Sequence, residues 1–141
     1  MNSIKIRDTK VRLKVNDDEN MIISFDPDDV GFIERYYGLV DFLNKKQNDY
    51  ITEAQNIDNS DETKEIKTRK GIKLLAKMCK DIKEQFGIVF GEDIINKIFG
   101  NSLNQKMFED FLYGIAPYIN KNRAEKLSKY MSDNEEIGIM K

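Results

Sequence analysis

The spacing of apolar residues changes once along this chain, and that change limits the folds it can adopt. Before residue 26, apolar and charged residues alternate, which is typical of half-buried strands. The alternating apolar positions are Ile4, Ile6, Val11, Leu13 and Val15. From about residue 30 onward, apolar residues recur at spacings of three and four, the pattern of amphipathic helices. We therefore predict a mainly α fold, in which an N-terminal β-hairpin packs on a bundle of about four to five helices.

The element boundaries follow from turn and capping residues. Asn16–Asn20 is rich in turn-forming residues and precedes a second strand at Met21–Phe25, so residues 1–25 are predicted to form the hairpin. Asp26–Asp29 has the Asp and Pro residues that favour a helix start. The helices are predicted at about residues 30–55, 62–86, 92–99, 104–118 and 120–131.

Two apolar stripes define the buried faces of the long helices. In the first helix the stripe consists of Val30, Ile33, Tyr37, Val40 and Leu43, and continues less regularly through Tyr50, Ile51 and Ala54. In the second helix the stripe consists of Gly71, Leu75, Met78, Cys79, Ile82 and Phe86. Each stripe is expected to pack towards a common core, because residues at these spacings share one side of a helix.

The chain is about one domain long, with 141 residues. We predict a single domain over residues 1–131, with the helical bundle over 26–131. Residues 132–141 are rich in acidic groups and are predicted to form a flexible tail.

Composition argues against most kinds of enzyme. The chain has no histidine, which is the commonest general base and metal ligand, and its one cysteine, Cys79, lies in an apolar stripe. The acidic runs at 17–19 and 26–29 lack the ligand spacing of a calcium loop and are explained by turn and cap chemistry. We predict no enzymatic activity, no catalytic residues, no cofactor and no metal site.

No apolar run is long enough to cross a membrane, and the first residues lack the apolar core of a signal peptide. The single cysteine fits a reducing compartment. We expect a cytoplasmic protein with no membrane partner.

The charges are unevenly distributed, although the net charge is only −2. Residues 63–83 hold 8 basic and 2 acidic groups. A lysine face on the second helix is the one feature that suggests nucleic acid, and it consists of Lys67, Lys70, Lys73, Lys77 and Lys80. Arginines are few and no aromatic residues lie between these lysines to stack on bases, so a solvated or ion-paired face is favoured.

The densest apolar region lies in the second half of the chain. Helical proteins often use a wide apolar face to hold an amphipathic partner. We predict a partner-binding groove around Phe90, Ile94, Ile98, Phe99, Phe108, Phe111 and Leu112.

The segment from Phe86 to Gly100, FGIVFGEDIINKIFG, resembles an element of small phage tail assembly chaperones from phages and prophages of Gram-positive bacteria. Those proteins have a similar FFDxxFGEGxxxKVFG element. The similarity includes the Phe25-Asp26 step into a long helix and the ending Asn122-Arg123-Ala124. Asp93 stands where that pattern has a glycine.

The resemblance implies a non-enzymatic protein that keeps the tape-measure protein soluble and helps tail-tube subunits to polymerise around it. Its partner would then be the tape-measure or the tail-tube protein, in the cytoplasm of the bacterial host. Two alternatives stay open: a phage-encoded inhibitor that binds a host defence protein, and a nucleic-acid-binding protein that uses the Lys67–Lys83 face. Self-association is open as well.

Overall fold

The computed structural model describes the backbone of residues 1–136 and the side chains of residues 1–121. Within this part of the chain, an antiparallel hairpin is followed by four helices, so the predicted helix-dominated fold class is confirmed. The elements are β1 (Val11–Val15), β2 (Asp18–Phe25), α1 (Val30–Asp58), α2 (Lys64–Phe90), α3 (Glu92–Phe99) and α4 (Gln105–Glu136).

The hairpin turn is tighter than the sequence suggested. Asn16 and Asp17 alone connect the strands, and both have positive φ angles, 54° and 59°. Positive φ at both central residues gives a turn whose twist matches that of the paired strands, and Asn and Asp tolerate this conformation. β2 therefore begins at Asp18, with an irregular register between Lys14 and Val15.

The first strand is shorter than predicted. It begins only at Val11, because β2 ends opposite that residue. Val11 pairs with Phe25, and the chain then leaves the sheet at Asp26. Residues 4–10 consequently have no strand beside them, and Ile4 and Ile6 are 87% and 85% exposed. The Thr9 hydroxyl donates to the Asp26 carboxylate at 2.8 Å and closes this end of the hairpin.

Asp29 caps α1 as its position predicted, with its carboxylate accepting from the Gly31 amide at 2.9 Å. The buried stripe, however, differs from the prediction. Val30 and Tyr37 are 72% and 46% exposed, and the buried residues of α1 are Phe32, Ile33, Tyr36 and Leu39. The helix is thus rotated about its axis relative to the prediction, so that Phe32 and Tyr36 face the core. Aromatic packing explains this, since the Phe32 ring lies 5.6 Å from that of Phe25 and 5.8 Å from that of Phe90.

Two glycines set the path between α2, α3 and α4. α2 continues through Gly87 to Phe90, beyond the predicted end. Gly91 has φ 108° and Gly100 has φ 56°, a region that L-residues with side chains rarely adopt. These two positions turn the chain sharply and hold the eight-residue α3 against the end of α2.

α4 is one helix, where two were predicted. It runs from Gln105 to Glu136 with Pro117 inside it. Proline removes one helical hydrogen bond, to the carbonyl of Tyr113, but Pro117 and Tyr113 both lie on the exposed side, where solvent can replace that donor. The helix includes residues 132–136 of the predicted flexible tail. Residues 137–141, and the side chains of the predicted stripe Ala124, Leu127, Tyr130 and Met131, lie outside the described residues.

The core is built around five phenylalanines, which we call the aromatic cluster: Phe86, Phe90, Phe99, Phe108 and Phe111. Phe86 is fully buried, and its ring centroid lies 5.2 Å from that of Phe111 and 5.5 Å from that of Phe108. Most of these rings meet edge to face, an arrangement that adds about 0.5–1.5 kcal/mol per pair beyond area burial.

The far ends of α1 and α2 extend past this core as an antiparallel pair. No residue of 44–58 or 64–77 is fully buried, whereas Met78, Cys79 and Ile82 are. We call this pair the helical arm, and at 1.5 Å per residue it is about 22 Å long. The apolar stripe of α2 is thus confirmed at Met78, Cys79, Ile82 and Phe86, and is only half-buried at Gly71 and Leu75.

We expect Phe86→Ala to lower the free energy of unfolding by about 3–5 kcal/mol, because it removes the ring on which the aromatic cluster packs. Ile88→Ala is the matched control, since Ile88 lies two residues along the same helix and is 60% exposed. Its effect should stay below about 1 kcal/mol. Urea unfolding followed by circular dichroism measures both, and equal midpoints for the two variants would contradict the assignment.

Candidate functional site

The structure separates the seven residues predicted to form the partner-binding groove. Phe90, Phe99 and Phe108 are 8%, 4% and 3% exposed and belong to the core. The other four are half-buried and pack against that core: Ile94, Ile98, Phe111 and Leu112. The phenylalanines among the seven do come together, but as interior packing and not as an open surface.

An open apolar groove lies beside this core, and only Phe108 and Leu112 of the predicted residues line it. We call it the α1/α4 groove. It has a volume of about 340 Å³ and lies at the base of the helical arm. Its lining consists of Leu43, Gln47, Tyr50 and Ile51 from α1, Met78, Ile82 and Phe86 from α2, and Gln105, Phe108, Glu109 and Leu112 from α4.

The floor of the groove is rigid, because it is the outer surface of the core. Met78, Ile82 and Phe86 are each at most 8% exposed, so their positions are fixed by packing. The walls are more accessible. Leu43, Tyr50 and Leu112 are half-buried, and Ile51 is 45% exposed. Apolar side chains on three helices therefore face one shared concave space.

The polar groups of the groove are few and lie on opposite walls. Gln47 is on α1, and Gln105 and Glu109 are one turn apart on α4. Glu109 is the one charged side chain in the groove lining that the structure describes. Such a site favours an apolar ligand with limited polar contacts at its edges.

Sequence reasoning missed the α1 side of this groove. Leu43, Tyr50 and Ile51 lie on the predicted apolar stripe of the first helix, so they were expected to be buried in the bundle. The available signal was the length of that stripe. It continues to Ala54, whereas the fully buried residues of α1 end at Leu39.

The lysine face is only partly free. The Lys67 ammonium donates to the Asp58 carbonyl at 2.7 Å, and Lys70 pairs with Glu62 at 3.1 Å. Both contacts secure the connection between α1 and α2. Lys73, Lys77 and Lys80 are exposed on the same helix.

A second, polar cleft of about 570 Å³ lies between α2, α3 and the loop that joins α3 to α4. Lys80 lines it together with Lys83, Glu84, Glu92 and the amides of Asn96 and Asn101. The Lys83 ammonium donates to the Gly100 carbonyl at its edge. Cations and carboxylates are mixed here, so the cleft does not extend the lysine face into a continuous basic surface.

Reactive groups are scarce in the described part of the chain. Cys79 is 1% exposed, and burial raises the pKa of its thiol. Desolvation likewise raises the pKa of Tyr36. Among the residues described, no group of three or more Cys, Asp or Glu side chains is placed to hold a metal ion. No helix in that same part is long and apolar enough to span a membrane.

Comparison of the chain with protein-family models, with curated proteins and with solved structures found no match.

We expect Cys79 to react on the order of 100-fold more slowly with a chromogenic disulfide reagent in the native protein than in the urea-unfolded chain. Both burial and the raised thiol pKa reduce the thiolate available for attack. The release of the coloured thiol measures both rates, and full release after unfolding is the internal control. Equal rates in the two states would show that Cys79 is accessible.

Proposed function

We propose that this protein is a non-enzymatic assembly chaperone of the phage tail type, which binds an α-helical segment of the tape-measure or tail-tube protein. Its place of action would be the cytoplasm of the bacterial host. The observation that carries the proposal is the α1/α4 groove, an open apolar surface on an otherwise charged protein. The resemblance around Phe86–Gly100 supplies the identity of the partner.

The groove suits a helix better than an extended peptide. Its walls are themselves helices, and the side chains that line it are spaced by three and four residues on both sides: 43, 47, 50 and 51 on α1, and 105, 108, 109 and 112 on α4. An amphipathic helix presents its apolar residues at the same spacing, so its stripe can lie between the walls. No sheet edge lies in the groove lining.

The size of the groove favours reversible binding. A volume of about 340 Å³ accommodates a few apolar side chains, not a complete helical domain. Interfaces of small buried area are typically weak and transient. Such binding would keep apolar stripes of a long helical partner covered in solution, and would allow its release when tail-tube subunits assemble around it.

We expect Ile51→Glu to reduce capture of the tape-measure protein by about tenfold, because a carboxylate replaces an apolar contact in the wall of the groove. Ile51 is 45% exposed, so the protein should still fold. The measurement is recovery of soluble tape-measure protein on the tagged chain after co-expression of the two.

Ile72→Glu is the matched control, since Ile72 is 63% exposed on α2 and lies outside the groove. It should capture as much partner as the unaltered chain. Circular dichroism of both variants verifies the fold. If both variants capture the partner equally well, the groove is not the binding surface, and recovery of a host protein instead would favour the inhibitor.

The position of the gene gives an independent check. An assembly chaperone of this type should be encoded between the tail-tube and tape-measure genes. A reading frame that lies among early or host-takeover genes instead would contradict the proposal.

A further inference from the structure

The hairpin has an open edge. Within residues 1–136 the sheet consists of β1 and β2 only, so β1 has a neighbouring strand on one side. No backbone hydrogen bond in that region joins Val11–Val15 to an element other than β2. An unpaired edge of this kind presents a row of amide and carbonyl groups that a further strand can satisfy.

A hollow beside the start of β1 gives access to this region. It has a volume of about 320 Å³ and lies between the β1 side, with Thr9 and Val11, and the α4 side, with Pro117, Tyr118 and Lys121. An open space of this size therefore adjoins the start of β1.

The exposed side chains along this edge are cationic. Residues 1–15 contain five basic groups, which are Lys5, Arg7, Lys10, Arg12 and Lys14, and one acidic group, Asp8. Residues 16–62, in contrast, contain 3 basic and 13 acidic groups. Arg12 and Lys14 alternate with the inward-facing residues of β1, and their side chains are each 54% exposed. The positive charge is thus concentrated on the segment that has the open edge.

Asp8 and Glu19 partly neutralise this row from within the chain. The Glu19 carboxylate lies 3.8 Å from the Lys14 ammonium, and Asp8 is paired with Arg12. The Asp8 carboxylate accepts from the Arg12 guanidinium at 2.8 Å, and this contact holds the pKa of Asp8 below its ordinary value. A carboxylate is therefore already bound at Arg12, in the way that a partner's carboxylate would be.

The segment before β1 is apolar as well as basic. Ile4 and Ile6 are 87% and 85% exposed, although full burial of such a side chain is worth about 1.5–3 kcal/mol. A partner strand that continued past Val11 alongside residues 4–10 would give both side chains a surface to pack on.

We propose that β1 binds an extended acidic segment of a partner chain, which adds to the sheet at the free edge and places its carboxylates against Arg12 and Lys14. This surface shares no residue with the α1/α4 groove, so the inference is independent of the proposed function. Backbone pairing would supply the geometry, and charge complementarity would select the partner.

Two other occupants fit less well. The same strand of a second copy would place cations opposite cations, which destabilises a strand pair. Nucleic acid would meet the charges, but residues 1–15 contain no aromatic side chain, and Tyr118 in the hollow is a single ring. Single-stranded nucleic acid is usually held by several stacked bases as well as by cations.

The probe is a short synthetic peptide of alternating Glu and Val residues, titrated into the full-length protein and followed by NMR. We expect binding that weakens as salt is raised, with new hydrogen-exchange protection at the β1 amides that β2 does not use. A peptide of the same sequence, N-methylated at alternate residues, should bind at least about tenfold more weakly, because it cannot complete a strand ladder.

The paired change Arg12→Glu with Lys14→Glu should weaken binding by about tenfold or more, whereas Asp8→Asn should strengthen it by about threefold, because it removes the carboxylate that competes for Arg12. Lys73→Glu with Lys77→Glu, on exposed lysines of α2, is the matched control and should leave binding unchanged. The proposal is overturned if the methylated peptide binds equally well, if the control pair weakens binding as much, or if only oligothymidylate binds.

Discussion

The packing of Phe90 holds the separate parts of this molecule together. Its ring lies 6.3 Å from Phe25 of the hairpin, 5.8 Å from Phe32 of α1 and 5.1 Å from Phe111 of α4. A two-stranded hairpin is marginally stable in water, and this one persists because Ile23 and Phe25 are buried against the helices. The sharp turn at Gly91 then reverses the direction of the chain, so that Phe99 of α3 packs in the aromatic cluster.

The same packing decides which apolar residues remain accessible. The phenylalanines of α2, α3 and α4 pack mostly on one another, so the densest apolar part of the sequence lies in the interior. What stays open is the α1/α4 groove, where Tyr50 and Ile51 of α1 line a space that no described element fills.

Local sequence patterns were sufficient for the class of fold and for most boundaries. The alternation around Leu13, the cap at Asp29 and the stripe through Met78 and Phe86 each depend on neighbours within a few residues. The errors came from features that depend on distant contacts. The rotation of α1 towards Phe32 requires the rings of Phe25 and Phe90, and the loss of strand structure at Ile4 and Ile6 requires the end of β2. The α1 wall of the groove was missed for the same reason, because periodicity marks a residue as apolar and does not show whether another helix reaches it.

The order of packing along the chain has a kinetic consequence. The strands pair through a two-residue turn, α1 packs on α2, and α2 packs on α3, so most contacts join elements that are consecutive in sequence. Chains with such local topology fold within about microseconds to milliseconds. A ribosome adds only about 5–20 residues per second, so each pair of consecutive elements has time to pack before the next element has left the ribosome.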